Sequence, residues 1–147
     1  MGKIILIFVF MQISTVLIAA EIKPFTTDGC SVFPDGTSDH QSLWMNCCIR
    51  HDLAYWKGGT YKERVKADND LKKCVENTGE KEISELMLAG VQIGGSPYFP
   101  TPYRWGYGWS YPGGYKTLTA EERSEIKNKL EMFEVMIRHI SDQLKKQ

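Results

Sequence analysis

Two features of the sequence predict a mainly helical domain held by disulfides. Apolar residues recur at helical spacing in four segments, and four cysteines, two of them adjacent, follow an N-terminal export signal. The expected architecture is a mainly α fold. It has two antiparallel, disulfide-linked helices, further helices toward the C-terminus, and a short aromatic β-like arm between them. Of 147 residues, 42% are hydrophobic and 24% charged, the balance of one globular domain and not of a disordered chain. Lys plus Arg and Asp plus Glu both number 18. With no basic excess to displace counterions, a nucleic-acid binder driven by bulk charge is excluded.

Residues 1–20 open with Lys3, run through the apolar stretch Ile4 to Met11, and end in the small pair Ala19-Ala20. A charged start, apolar middle and small-residue end read as a secretory signal peptide, cut after Ala20 or Ala19. An uncleaved membrane anchor is the alternative. It needs about 20 apolar residues, and Gln12, Ser14 and Thr15 interrupt this run. The domain is then residues 21–147 of a secreted or periplasmic protein. In an oxidising compartment Cys30, Cys47, Cys48 and Cys74 are expected to form disulfides. Neighbouring side chains on a helix point about 100° apart, so Cys47 and Cys48 cannot bridge each other. Both remaining pairings tie Cys30 and Cys74 to one short helix. A zinc site, the rival use of the four, would show paired ligand spacing that this set lacks.

Glu21 to Asp39 carries Pro24, Gly29, Pro34 and Gly36 with no sustained period, and reads as ordered loop. A first helix is expected from Leu43 to Lys57, stopped by Gly58-Gly59. A second, Tyr61 to Asn77, places Tyr61, Val65, Asp68, Leu71 and Val75 on one face. A third, Glu80 to Ile93, gathers Ile83, Leu86, Met87 and Val91. The fourth, residues 119–146, opens with Thr119-Ala-Glu-Glu122, a capping box. Its apolar positions Ile126, Leu130, Phe133, Ile137, Ile140 and Leu144 step by 4, 3, 4, 3 and 4. That narrow seam suits packing on the domain or on a partner helix.

Residues 97–115 hold the densest run of aromatic side chains. From Tyr103 to Tyr111 every second residue is aromatic, which in an extended strand puts them on one face. Trp105, Tyr107 and Trp109 are therefore candidates for a membrane interface. The competing expectation is that this arm lays its aromatic face on the helices and completes the core.

The chemistry concentrates in Cys47-Cys48-Ile-Arg-His51-Asp52-Leu-Ala-Tyr55. Cys47, His51 and Tyr55 are four apart and share a helix face, with Asp52 on the neighbouring one. If Cys47 bonds Cys74 on an antiparallel helix, a rise of about 1.5 Å per residue sets Asp68 between His51 and Tyr55. Pairing Cys48 with Cys74 instead would roll the first helix by about 100° and turn His51 away. A histidine held by a carboxylate is the arrangement of a general base. With no serine or cysteine nucleophile nearby in sequence, a water attacking an ester is the natural reaction. Asp52 and carbonyls of the loop Gly29 to Phe33 offer oxygen ligands to a hard cation such as calcium. Such an ion would polarise the carbonyl.

Cys-Cys-x-x-His-Asp with a tyrosine four residues after the histidine resembles the active-site helix of the secreted phospholipase A2 superfamily. Ala67-Asp68-x-x-Leu-x-x-Cys74 resembles that family's second long helix, and Asp28-Gly29-Cys30 is similar to the calcium-loop start of its divergent, bacterial-type or group XII-like members. The resemblance covers about Asp28 to Val75. It implies a phospholipase A2-like fold with bridges Cys30–Cys48 and Cys47–Cys74. It further implies His51 as base, Asp68 as its partner, Tyr55 as a supporting hydroxyl, and calcium held by Asp52 with Gly29 and Ser31. The implied substrate is the sn-2 ester of glycerophospholipids at a membrane surface. The loop departs from the family pattern, because Ser31-Val32-Phe33-Pro34 replaces a glycine-rich run. Two other classes stay open: a binding module on the same scaffold without turnover, and a structural protein that assembles through its C-terminal seam.

Overall fold

Four helices form where the apolar periodicity places them: α1 (Met45–Lys57), α2 (Tyr61–Glu76), α3 (Lys81–Gly94) and α4 (Ala120–Leu144). The computed structural model describes residues 21–146, so the expected signal segment lies outside the described residues. Among them there is no strand, and no helix is long and apolar enough to cross a membrane.

α1 starts two residues later than expected because His40 to Met45 fold into tight turns, with Leu43 N–H donating to His40 O and Met45 N–H to Ser42 O. It stops at Gly58, whose φ is +69°. A Cβ there would lie 2.9 Å from the Cα of Gly106, so glycine both ends the helix and lets another backbone close on it. α2 opens with a capping box of its own, Thr60 with Glu63, of the same Thr-x-x-Glu form as Thr119 with Glu122 at the start of α4.

The disulfides are Cys30–Cys48 and Cys47–Cys74. Beyond Cys47–Cys74, His51 meets Asp68 and Tyr55 meets both Asp68 and Arg64. Rising numbers on α1 thus meet falling numbers on α2, and the pair is antiparallel. The buried face of α2 differs from the expected one. Arg64, Ala67, Asp68, Leu71 and Val75 point inward, whereas Tyr61 and Val65 are exposed. Arg64 turns in because the interior offers it acceptors, and Tyr61 instead sets its edge on Tyr115 with ring centroids 5.2 Å apart. α3 buries Ser84 and Met87, half-buries Ile83 and Val91, and leaves Leu86 exposed.

Residues 97–115 are not β-like. They form a succession of turns, with Gly106 at φ +74° breaking any extended run. The physical reason lies at the end of α1, whose last carbonyls have no partner within the helix. Gly106 N–H donates to Tyr55 O, Gly108 N–H to Trp56 O, the Trp109 indole to Lys57 O, and the Trp105 indole to Gly59 O just beyond. The segment caps that helix and cannot also lie as a strand. Trp105 and Trp109, only 2% and 9% exposed, belong to the core and not to a membrane interface. Tyr107 is half-buried with its hydroxyl on Thr26 O.

One apolar cluster, around Cys30, Trp44, Cys47, Cys48, Leu71, Val75 and Met87, fills the space between the disulfides and α3. Another gathers Ile22, Trp56, Trp109 and Ile126, with Phe25 and Leu130 against it. α4 joins through this second cluster and through Phe133, whose ring lies 5.9 Å from that of Phe25. The seam on α4 is therefore half used. From Glu134 to Lys146 every residue except Ser141 is exposed.

Candidate active site

The spacing of Cys47, His51 and Tyr55 on α1, with the Cys47–Cys74 bridge setting the register of α2, brings three polar side chains together in the interior. His51 Nε2 lies 3.1 Å from Asp68 Oδ1, and the Tyr55 hydroxyl donates to the same oxygen at 2.7 Å. The Asp68 carboxylate is 2% exposed and His51 8%. Since a carboxylate accepts only, Nε2 carries the proton, leaving Nδ1 as the ring's basic atom. Burial and the neighbouring Asp68 charge push the Tyr55 hydroxyl far above its ordinary range, so it stays a donor.

Sequence reasoning missed Arg64. Its Nε donates to the Tyr55 hydroxyl at 3.1 Å and lies 3.7 Å from Asp68 Oδ2. Nη2 reaches Val91 O and Gln92 O in the last turn of α3, and Nη1 the Tyr115 hydroxyl. Because Tyr55 Oη accepts from Arg64, its single proton is directed at Asp68. The guanidinium also places a positive charge at a helix C-terminus, where it is favoured. The available signal was its position four residues before Asp68, one turn along the same face; nothing in the local sequence marks it as buried. At Gly95 a Cβ would meet the Tyr55 hydroxyl oxygen at 2.3 Å, so the chain leaving α3 passes against this network only as glycine.

His51 and Asp52 border a cavity of about 400 Å³. Its walls are chiefly apolar: Phe33 and the Cys30–Cys48 bridge, Leu71 of α2, Leu86, Met87 and Val91 of α3, and Tyr103. Gly29 and Ser31 lie on its rim beside Val32, which is 93% exposed with φ +60°. A β-branched residue at positive φ is a strained backbone position. The loop around it is tied from within: Asp35 Oδ1 accepts from Cys30 N–H at 2.7 Å, and Ser31 Oγ donates to Asp28 Oδ1 at 2.7 Å.

Asp52 faces a second, smaller hollow of about 200 Å³ with Asp28, Thr26, Thr27, Ser31 and Tyr107. The Thr27 hydroxyl donates to Asp52 Oδ2 at 2.7 Å. Burial pushes the Asp52 carboxyl up to about 6, with Asp28 adding to it, against the Thr27 hydrogen bond that pulls it down. Two carboxylates among hydroxyls, with no Lys or Arg side chain lining the hollow, make a donor set suited to a hard oxygen-seeking cation. Asp28, not expected as a ligand, joins Asp52 here, and Ser31 offers its hydroxyl as well as its backbone. No group of three or more His, Cys, Asp or Glu side chains gathers among the described residues. Of the residues singled out from sequence, His51, Asp52, Tyr55 and Asp68 come together, with Gly29 and Ser31 at the rim; Trp105, Tyr107 and Trp109 stay outside the cavity. No family model, no curated protein and no solved structure matches the chain.

Proposed function

We propose that this chain is an exported, calcium-dependent hydrolase of the secreted phospholipase A2 type, cleaving the sn-2 ester of glycerophospholipids. The observation that carries the reading is the buried His51–Asp68–Tyr55 contact at the polar end of an apolar cavity, with Asp52 beside it. The apolar walls suit an acyl chain, which gains roughly 0.8 kcal/mol for each buried methylene. His51 Nδ1 accepts a proton from a water, whose oxygen attacks the ester carbonyl. The resulting tetrahedral oxyanion collapses and expels the glycerol alkoxide, which takes the proton back from the imidazolium. Asp68 holds the ring through Nε2 and stabilises its charged form, and Tyr55 keeps that carboxylate in place. Calcium held at Asp52, with Asp28 and loop oxygens, supplies positive charge to the carbonyl and phosphate oxygens when bound. The membrane-facing rim falls to Val32, Leu86 and Tyr103, which border the cavity and are exposed.

The test is fatty-acid release from mixed phospholipid vesicles by the oxidised chain from residue 21 onward. It is run with calcium and with chelator, beside His51→Gln. Calcium-dependent release lost in the variant is the expected result. Lipid binding without release under any condition would replace the hydrolase with a binding module on the same scaffold.

A further inference from the structure

Three turns of α4 have no use in the domain. Ile137, Ile140 and Leu144 are 47, 47 and 64% exposed, and Met136 beside them is exposed as well. A contiguous apolar stripe of this kind marks an interaction surface. A short helical end without tertiary contact is also marginal in water unless something covers it.

We propose that a second copy of this chain covers the stripe, its α4 packed antiparallel on the first. The alternation Phe133, Ile137, Ile140, Leu144 steps by 4, 3 and 4, the spacing of an interhelical seam. Run antiparallel against itself, it pairs Ile137 with Ile140 and Phe133 with Leu144 in each direction, so every seam residue meets another. Phe133 is half-buried on Phe25, and the Leu144 that meets it closes against the partner's domain. The charges agree with this direction. Glu131 and Glu134 begin the exposed stretch, while Lys145 and Lys146 end it, and an antiparallel pair sets the acidic end against the basic one. Glu134 then flanks the partner's Ser141, with no like charge facing it.

The same charges argue against a lipid surface as the occupant. Residues 131–146 carry Glu131, Glu134 and Asp142 against Arg138, Lys145 and Lys146, so they feel no net pull toward an anionic bilayer. The exposed ion pairs within the helix, Arg138 with Glu134 and Lys145 with Asp142, contribute little and are free to exchange. A seam of about 18 Å lies at the low end of interface sizes, so the dimer is reversible.

Sedimentation velocity on the oxidised chain from residue 21 onward, from about 1 µM to about 1 mM, spans the range of weak interfaces. The expected result is a monomer that becomes a dimer as concentration rises. Ile137→Glu with Ile140→Glu changes two exposed sites, so the domain still folds, as circular dichroism will verify. The dissociation constant should rise at least about 100-fold, two charges being forced into the seam. Ser141→Lys should tighten the dimer and Ser141→Glu loosen it, because Glu134 of the other copy faces that position only when the helices are antiparallel. A chain that stays monomeric throughout overturns the proposal. So does a dimer indifferent to the double substitution, or one that responds equally to both Ser141 variants. Binding to phospholipid vesicles through the same isoleucines, without self-association, would assign the stripe to lipid instead.

Discussion

The α1–α2 pair and the turn segment 97–115 both hold the candidate site, and they do so by different physics. Between α1 and α2 the register is covalent. Cys47–Cys74 sets it, Cys30–Cys48 ties the loop to the same helix, and a buried polar network follows. The segment has no disulfide and no regular structure, yet two of its indoles are as buried as the cysteines. It is fixed because its N–H groups are aimed at the carbonyls that α1 leaves unsatisfied at its end. Irregular backbone can therefore be as strictly placed as helix when it supplies the partners a helix terminus lacks. Arg64 joins the two regions, touching Tyr55 and Asp68 on one side and Tyr115 on the other.

The largest effect should come from the chemistry the two regions jointly support. In the hydrolase reading, Asp68→Asn keeps the shape but permits the wrong imidazole tautomer, and release of fatty acid should fall about 10⁴-fold. The folded state should survive, which a melting curve would verify. An equal loss of fold and activity would return Asp68 to a structural role.

The hold of each region on the fold can be removed separately. Trp105→Ala empties a site between Tyr55 and Ala67 and removes one of the two hydrogen bonds to Gly59 O, the other coming from Lys116 N–H, so urea denaturation should show a loss of about 3–5 kcal/mol. Replacing Cys47 and Cys74 together by serine should cost about 2–4 kcal/mol. A tryptophan loss no larger than that of an exposed substitution would show that the segment is only draped on the helices.

A smaller change sharpens the link between them. Arg64→Lys keeps the charge but cannot reach Tyr55, Tyr115 and α3 at once, and should lower stability by about 1–3 kcal/mol. In the hydrolase reading its kcat falls while KM stays near that of the unaltered chain, because the acyl-chain walls are untouched. A rise in KM alone would place Arg64 in wall-building only.

The smallest effect concerns the start of α2. The backbone and hydroxyl of Thr60 hold the Glu63 carboxyl below its ordinary value of 4.5. A lowered acid contributes stability that is complete above that value and is lost as pH falls through the depressed one. The urea midpoint should therefore drop between pH 6 and pH 3, and Glu63→Gln should drop less. An identical pH dependence in the variant would remove Glu63 from the account.

Much of the α1–α2 half was legible because its determinants are local. Helical spacing places Cys47, His51 and Tyr55 on one face, and a bridge from Cys47 to Cys74 leaves Asp68 one place to stand. The segment was not legible in the same way. Alternating aromatics carry a strand period, but Gly106 at positive φ and the unsatisfied end of α1 override it, and neither is visible from alternation alone. The inward turn of Arg64 was equally hidden, since its acceptors come from α1, α3 and Tyr115, far apart in the chain.

By itself the sequence determined the four helices, the glycine stop of α1, the Thr119–Glu122 box that opens α4, and which residues of α1 share a face. Those follow from periodicity and capping, interactions that span four residues or fewer. Tertiary structure alone decided that the tryptophans of the segment serve the core, that Asp28 stands with Asp52, and that half of the α4 seam remains uncovered. Each depends on which distant groups meet, and side-chain burial and hydrogen-bond satisfaction are settled only when the whole chain has closed around them.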